Sequence, residues 1–130
     1  MKEITVQATI EQVAKVTDFV NQILEANACS MKAQMQIDIA IDEVLSNIVY
    51  YSGSATMTVR CAIANGVAQI VFIDNGTPYN PLVKEDPDVS LPAEQRQLGG
   101  LGIYMVKKSM DEVIYTHQNT CNILTIKKAI

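Results

Sequence analysis

The feature that most constrains the fold is a pair of alternating runs joined at Asn65-Gly66. The runs are ATMTVRCAI (residues 55–63) and VAQIVFID (residues 67–74), with only ANG between them. Alternation of apolar and polar residues with a period of two is typical of strands with one buried face. Asn-Gly between two such runs is the strongest short-range signal for a β-hairpin. The chain is therefore predicted to contain an antiparallel strand pair that ends at Asp74.

Further elements are predicted on both sides of this hairpin. A short strand (residues 4–10) precedes two helices, from Ile10 to about Ala28 and from about Met31 to Tyr51, the second capped by Ser30. A third helix, with Ile103, Val106 and Met110 on one face, is followed by two strands around the turn QNT. Strands adjacent in sequence and helices in separate blocks predict an α+β fold of two layers. We expect a mostly antiparallel mixed sheet covered on one face by three helices.

Composition limits the classes of function. The 130 residues predict a single domain, 1–130, and a net charge of −4 without a basic block argues against a nucleic-acid partner. The three cysteines are far apart, which predicts reduced thiols rather than a disulfide framework or a zinc site. The chain shows no signal-peptide pattern and no apolar run of membrane-spanning length. We therefore expect a cytoplasmic protein with no membrane partner.

The second predicted helix carries a carboxylate and an amide one turn apart. Glu43 and Asn47 lie about 40° apart around the helix axis, on one flank of its apolar stripe. They could form a solvated helix edge. They could also point at one ligand, because an amide oxygen suits Mg²⁺ and a carboxylate can act as a base.

The segment DNGTPYNP follows the second strand of the hairpin. An Asn-Gly turn is one interpretation, but prolines at 78 and 81 follow at once and no strand continues. The other interpretation is a binding loop at a strand end. Asp74 would accept a hydrogen bond from an exocyclic amine, and Gly76 would let a planar ring lie close to the backbone.

Three glycines precede the third helix, at positions 99, 100 and 102. The sequence around them is neither a Walker A loop nor a strand followed by GxGxxG. Free N–H groups at a helix N-terminus favour an anion, whereas Gly102 could instead permit close packing of the helix on the sheet. Both interpretations stay open at this point.

The order of these motifs resembles the Bergerat-type ATPases, the ATP-binding domains of histidine kinases and DNA gyrase. The blocks AIDEVLSNIVYYS, DNGTPYNP and the stretch from GGLGIYMVKK to the end are most similar to the anti-sigma factor serine kinases. The resemblance spans essentially the whole chain and implies the Bergerat fold.

The resemblance assigns a role to each matching residue. Glu43 would be the catalytic base or the carboxylate that orients the nucleophile, and Asn47 would coordinate Mg²⁺ on the nucleotide phosphates. Asp74 would bind the adenine amino group, with Gly76 beneath the ring.

The remaining assignments concern the phosphate side of the site. Residues 82–98 would form an ATP lid. Backbone N–H groups in the block Gly100, Leu101, Gly102 would meet the phosphates, and Arg96 is the candidate cation beside them.

The implied function is a regulatory protein serine/threonine kinase with ATP or ADP and Mg²⁺ as cofactors. It would phosphorylate an anti-sigma factor antagonist, sequester a sigma factor and form a homodimer. Two positions depart from the family pattern, since Leu98 stands where a basic residue is common and Tyr51 where a histidine is common. A non-catalytic ATP- or ADP-sensing module and a purely structural domain are therefore the alternatives.

Overall fold

Five strands form one sheet in the computed structural model, which describes residues 1–83 and 101–130. The strands are, in chain order, β1 (Lys2–Gln7), β2 (Thr56–Ala64), β3 (Val67–Asp74), β4 (Glu112–Gln118) and β5 (Cys121–Ala129). Their order across the sheet is β1-β2-β3-β5-β4. The predicted α+β class is confirmed, and each of the four described pairings is antiparallel, so the sheet is more regular than the mixed one expected.

Both predicted hairpins are present and use left-handed turn residues. Between β2 and β3, Asn65 has φ 53° and Gly66 has φ 74°. Between β4 and β5, Asn119 has φ 52° and Thr120 has φ 64°. Two consecutive positive φ angles are typical of the type I′ turn, whose twist matches that of the flanking strands.

Within the described ranges, three α-helices cover one face of the sheet: α1 (Val13–Ala26), α2 (Met31–Asn47) and α3 (Leu101–Ser109). The first is shorter than predicted, because residues 10–12 form a 3₁₀ turn and Ala28 adopts φ 55°. The Cys29 N–H then bonds Leu24 O at 3.1 Å, and the Ala28 N–H bonds Glu25 O at 3.2 Å, which closes the helix end as a Schellman motif. None of the described helices is long and apolar enough to cross a membrane.

The second helix begins and ends at identifiable signals. The Ser30 hydroxyl accepts a hydrogen bond from the Ala33 N–H at 3.2 Å, so the predicted cap is confirmed. After Asn47 the chain does not continue as α-helix but forms a π-helical turn, Ile48–Ser52, ended by Gly53 at φ 75°. Single π turns are frequent at functional sites.

The core lies between the sheet and the helices. Buried, inward-facing strand residues alternate with half-buried ones, as the burial of every second residue in β3 shows. The helices contribute the apolar stripes predicted from the sequence, and on α3 Ile103, Val106 and the following Met110 are all buried. The three cysteines are free thiols, with Cys61 in the core and Cys29 and Cys121 half-buried.

Candidate functional site

A small cavity lies where the core meets the end of β3. Its walls come from α2 and the π turn, from β3 and the loop after it, from β4 and β5, and from α3. The apolar lining residues are Val44, Ile48, Phe72, Pro81, Ile103 and Leu124, and the polar ones are Asn47, Ser52, Asp74, Tyr79, Tyr115 and Asn122. A mainly apolar cleft with a few convergent polar groups is typical of a small-molecule site.

Asp74 is the buried carboxylate of this cavity. It is the last residue of β3, and only 6% of its surface is exposed. Its Oδ1 accepts two hydrogen bonds of 3.0 Å, from the Gly76 N–H and from Asn122 Nδ2. A buried carboxylate is stabilised by hydrogen-bond donors of this kind. Both of the bonds described here are accepted by the same oxygen, Oδ1. Asp74 thus lies buried in the cavity wall, and its role in binding stays a prediction.

Asn122 is a site residue that the sequence interpretation missed. It stands opposite Asp74 in the β3–β5 register and is 6% exposed. Besides Asp74, its Nδ2 reaches Thr77 O at 3.0 Å, while its Oδ1 accepts from the Tyr79 N–H at 3.1 Å and from the Tyr115 hydroxyl. One signal could have found it, because Asn122 is the polar member of an inward-facing series that continues with apolar residues at 124 and 126.

Gly76 has a packing reason to be glycine. A Cβ built on it would overlap the carbonyl and hydroxyl oxygens of Ser52, and the next residue, Thr77, donates its N–H to Ser52 O at 2.7 Å. The loop after β3 is therefore held against the π turn that ends α2. Tyr51 and Tyr79 place their rings 6.2 Å apart across the same junction.

The Glu43 and Asn47 pair is only partly brought to the cavity. Asn47 lines it and is half-buried. Glu43 does not line the cavity but lies against the first turn of α3, where a Cβ on Gly102 would overlap its carboxyl group. Partial burial raises the pKa of Glu43, and the nearby Asp42 raises it further.

Several predicted site residues lie outside the described residues. These are Arg96, Gly100, Leu98 and nearly all of the predicted lid, of which only Leu82 and Val83 are described. Leu101 is the first residue of α3, and Gly102 lies in its first turn, in contact with Glu43.

The family is shown by a match that covers almost the entire chain. Residues 6–128 match the model of the histidine kinase-like ATPase domain. The chain belongs to this family. A histidine kinase-like ATPase domain carries the α+β architecture described above, and the family resemblance inferred from the sequence is confirmed.

Solved structures show the same fold at low sequence identity. The RsbU and RsbW domains of Rv1364c from Mycobacterium tuberculosis match with a TM-score of 0.70 and 20% identity, over 98% of this chain and 31% of that one. The histidine kinase AdeS of Acinetobacter baumannii matches with a TM-score of 0.55 and 14% identity, over 99% of this chain and 68% of that one. The mycobacterial sensor histidine kinase MprB matches with a TM-score of 0.52 and 18% identity, over 99% of this chain and 100% of that one.

The matched chains differ in length from this one. This chain spans less than a third of the Mycobacterium tuberculosis structure. None of the curated proteins compared with this sequence matches it significantly.

Proposed function

We propose that this histidine kinase-like ATPase domain binds ATP or ADP in the cavity at the end of β3. The observation that carries the proposal is Asp74, a buried carboxylate in the cavity wall whose Oδ1 is held by two donors. The adenine amino group would donate to Asp74, with the ring lying over the backbone around Gly76. The phosphates would then extend towards Asn47, which also lines the cavity.

A magnesium ion fits this site if the nucleotide supplies most of its ligands. Asn47 offers an amide oxygen, and in the described part of the chain no three or more His, Cys, Asp or Glu side chains form a metal-holding group. Mg²⁺ commonly takes one or two protein oxygens and completes its shell with phosphates and water. Asn47 would hold the ion, which when bound would neutralise phosphate charge.

We further propose that the domain is a protein serine/threonine kinase of the anti-sigma factor type. Glu43 would accept the proton of the attacking hydroxyl, and burial supports this role because a raised pKa suits a base that works near neutral pH. The phosphate side would be completed by Gly100, Leu101, Gly102 and Arg96, and by a lid at residues 82–98 of the single domain 1–130.

The proposed partners follow from the same family blocks. They are an anti-sigma factor antagonist, phosphorylated on Ser or Thr, and a sigma factor that the domain sequesters as a homodimer in the cytoplasm. Support comes from the sequence blocks and from the likeness to a structure that contains an RsbW domain.

Calorimetry with Mg-ADP tests the nucleotide site. The purified protein should bind, and Asp74→Asn should weaken binding about tenfold to a hundredfold, as expected for a hydrogen bond to a charged group. An asparagine amide cannot satisfy both sides, because its NH₂ would face either the adenine amine or the Gly76 and Asn122 donors. Glu11→Gln, on an exposed carboxylate, is the control and should bind normally. No binding by the wild-type protein would refute the nucleotide site.

Phosphotransfer tests the kinase. With labelled ATP, Mg²⁺ and a candidate antagonist, the wild-type protein should transfer label and Glu43→Ala should not, while both bind ADP. Transfer that survives Glu43→Ala would remove this residue from the mechanism.

A non-catalytic ADP- or ATP-sensing module is the second candidate. It is favoured by Glu43, which lies against Gly102 rather than in the cavity wall. This candidate predicts wild-type nucleotide binding without transfer to any tested antagonist and without hydrolysis.

A further inference from the structure

The amide of Asn122 is saturated with hydrogen bonds. An asparagine side chain has two N–H donors and an oxygen with two lone pairs. Here Nδ2 donates to Asp74 Oδ1 and to Thr77 O, both at 3.0 Å, and Oδ1 accepts from Tyr79 N and the Tyr115 hydroxyl. The four partners come from β3, the loop after it and β4. They fix the orientation of the amide, since a flipped amide would set its oxygen against Asp74 Oδ1 and Thr77 O.

The fixed amide in turn fixes the carboxyl group of Asp74. One of its oxygens, Oδ1, is held from two sides by Asn122 Nδ2 and the Gly76 N–H. A rotation of the carboxyl group about Cβ–Cγ would break both bonds inside a site where the two side chains are each 6% exposed. Within the described residues, Oδ2 is therefore the oxygen of Asp74 that is left for a ligand in the cavity.

We infer that Asn122 is a positioning residue that sets the selectivity of the site for a base bearing an exocyclic amine. This inference rests on the proposed nucleotide binding and adds a residue to it. Adenine presents an amine at its 6-position, whereas hypoxanthine presents a carbonyl oxygen there. Held in place, Asp74 Oδ2 accepts from the amine and repels the oxygen. Without Asn122 the carboxyl group can turn away, so its hydrogen bond to the amine weakens and the preference for the amine falls.

Calorimetry with Mg-ADP and Mg-IDP, the inosine analogue, tests this inference. The wild-type protein should prefer ADP by about tenfold or more, because mismatched polar groups in a buried site are costly. Asn122→Leu keeps a similar volume but removes the donors, and should lower ADP affinity about tenfold with little effect on IDP. The preference should then fall about tenfold. Ile123→Val, on the neighbouring residue of β5, is the matched control and should keep the wild-type preference.

A purely structural role gives a different result. If Asn122→Leu weakens ADP and IDP by the same factor, or leaves the ADP preference intact, the inference is overturned. Equal binding of ADP and IDP by the wild-type protein also overturns it while leaving nucleotide binding in place. If the wild-type protein binds neither, the proposed function itself fails, so the two failures are distinguishable.

Tyr115→Phe keeps the test decisive if Asn122→Leu does not fold. This change removes only the hydroxyl that donates to Asn122 Oδ1 and retains the ring in the cavity wall. The ADP preference should fall about twofold to threefold, the effect of part of one hydrogen bond. An unchanged preference in the folded Tyr115→Phe variant overturns the inference.

Discussion

Gly102 at the start of α3 lies directly against the carboxyl group of Glu43 on α2. A methyl group at position 102 would overlap Oε2 and Cδ of that carboxylate. This contact joins α3 to α2, whereas the packing interpretation placed the glycine between helix and sheet, and the atom that needs the space belongs to the proposed catalytic side chain. The position of the helix and that of the carboxylate are thus coupled.

Gly102→Ala and Glu43→Ala should show this coupling in a double-mutant cycle. In the Glu43→Ala background, Gly102→Ala should stabilise the protein by about 0.5–1 kcal/mol through helix propensity. In the wild-type background the displaced carboxylate should cancel or reverse that gain. Urea denaturation measures the four stabilities. If the two changes are additive, the contact does not contribute to stability and the prediction is contradicted. The control pair, Gly102→Ala with Glu11→Ala, should be additive.

The raised pKa of Glu43 predicts the sign of a pH effect on stability. Burial makes the folded state hold this proton more tightly than the unfolded chain, whose pKa is near 4.5. Wild-type stability should therefore fall as pH rises above that value, through the raised pKa. Glu43→Gln lacks this loss, so it should match the wild type well below pH 4.5 and become the more stable protein towards neutrality. Denaturation at several pH values checks this, with Glu11→Gln as control. A stability difference that does not change with pH would contradict the prediction.

Gly53→Ala and Gly76→Ala should distinguish a glycine required by its backbone angle from a glycine required by close packing. Gly53 has φ 75° and open space around it, so alanine there costs only conformational strain, about 1–2 kcal/mol. Gly76 has no room for a methyl group beside Ser52. We expect Gly53→Ala to lower thermal stability but bind Mg-ADP normally, and Gly76→Ala to impair both, because the loop carrying Gly76 also bonds Asp74. Normal binding by Gly76→Ala would show that the loop can move without disturbing the site.

The thiols should differ in their reaction with Ellman's reagent. Burial raises the pKa of Cys61 to about 11, and its side chain lies in the core. At pH 8 only about one molecule in a thousand would carry the thiolate that reacts. Cys29 and Cys121, which are half-buried, should react in the native state, and Cys61 only after unfolding. Cys61→Ser should remove the slow thiol alone. A native protein in which all three react at one rate would contradict this.

The parts of the fold that could be predicted from the sequence have local causes. Asn65-Gly66 specifies its hairpin through two backbone angles, and Ser30 caps α2 through a bond three residues away. The α3 stripe follows from helical spacing alone. In the same way Asp74 could be proposed because it ends a predicted strand, and Asn47 because it lies one helical turn after Glu43.

The rest depends on contacts between distant parts of the chain. Asn122 is 48 residues from Asp74 and 43 from Tyr79, and no local pattern says that these side chains share hydrogen bonds. The π turn after Asn47 has no sequence signal, because the apolar run that forms it is equally compatible with an α-helix. The left-handed Ala28 carries none of the glycine signal that usually marks a helix end.

The cavity is built on the same face of the sheet as the core, one cross-strand row further along. Phe72 pairs with Leu124, and the next row pairs Asp74 with Asn122. Phe72 and Leu124 are buried core residues and also line the cavity. A substitution at Phe72 or Leu124 that reshapes the cavity therefore also changes the packing of the core. Ligand specificity and thermal stability are for this reason expected to evolve together in this protein.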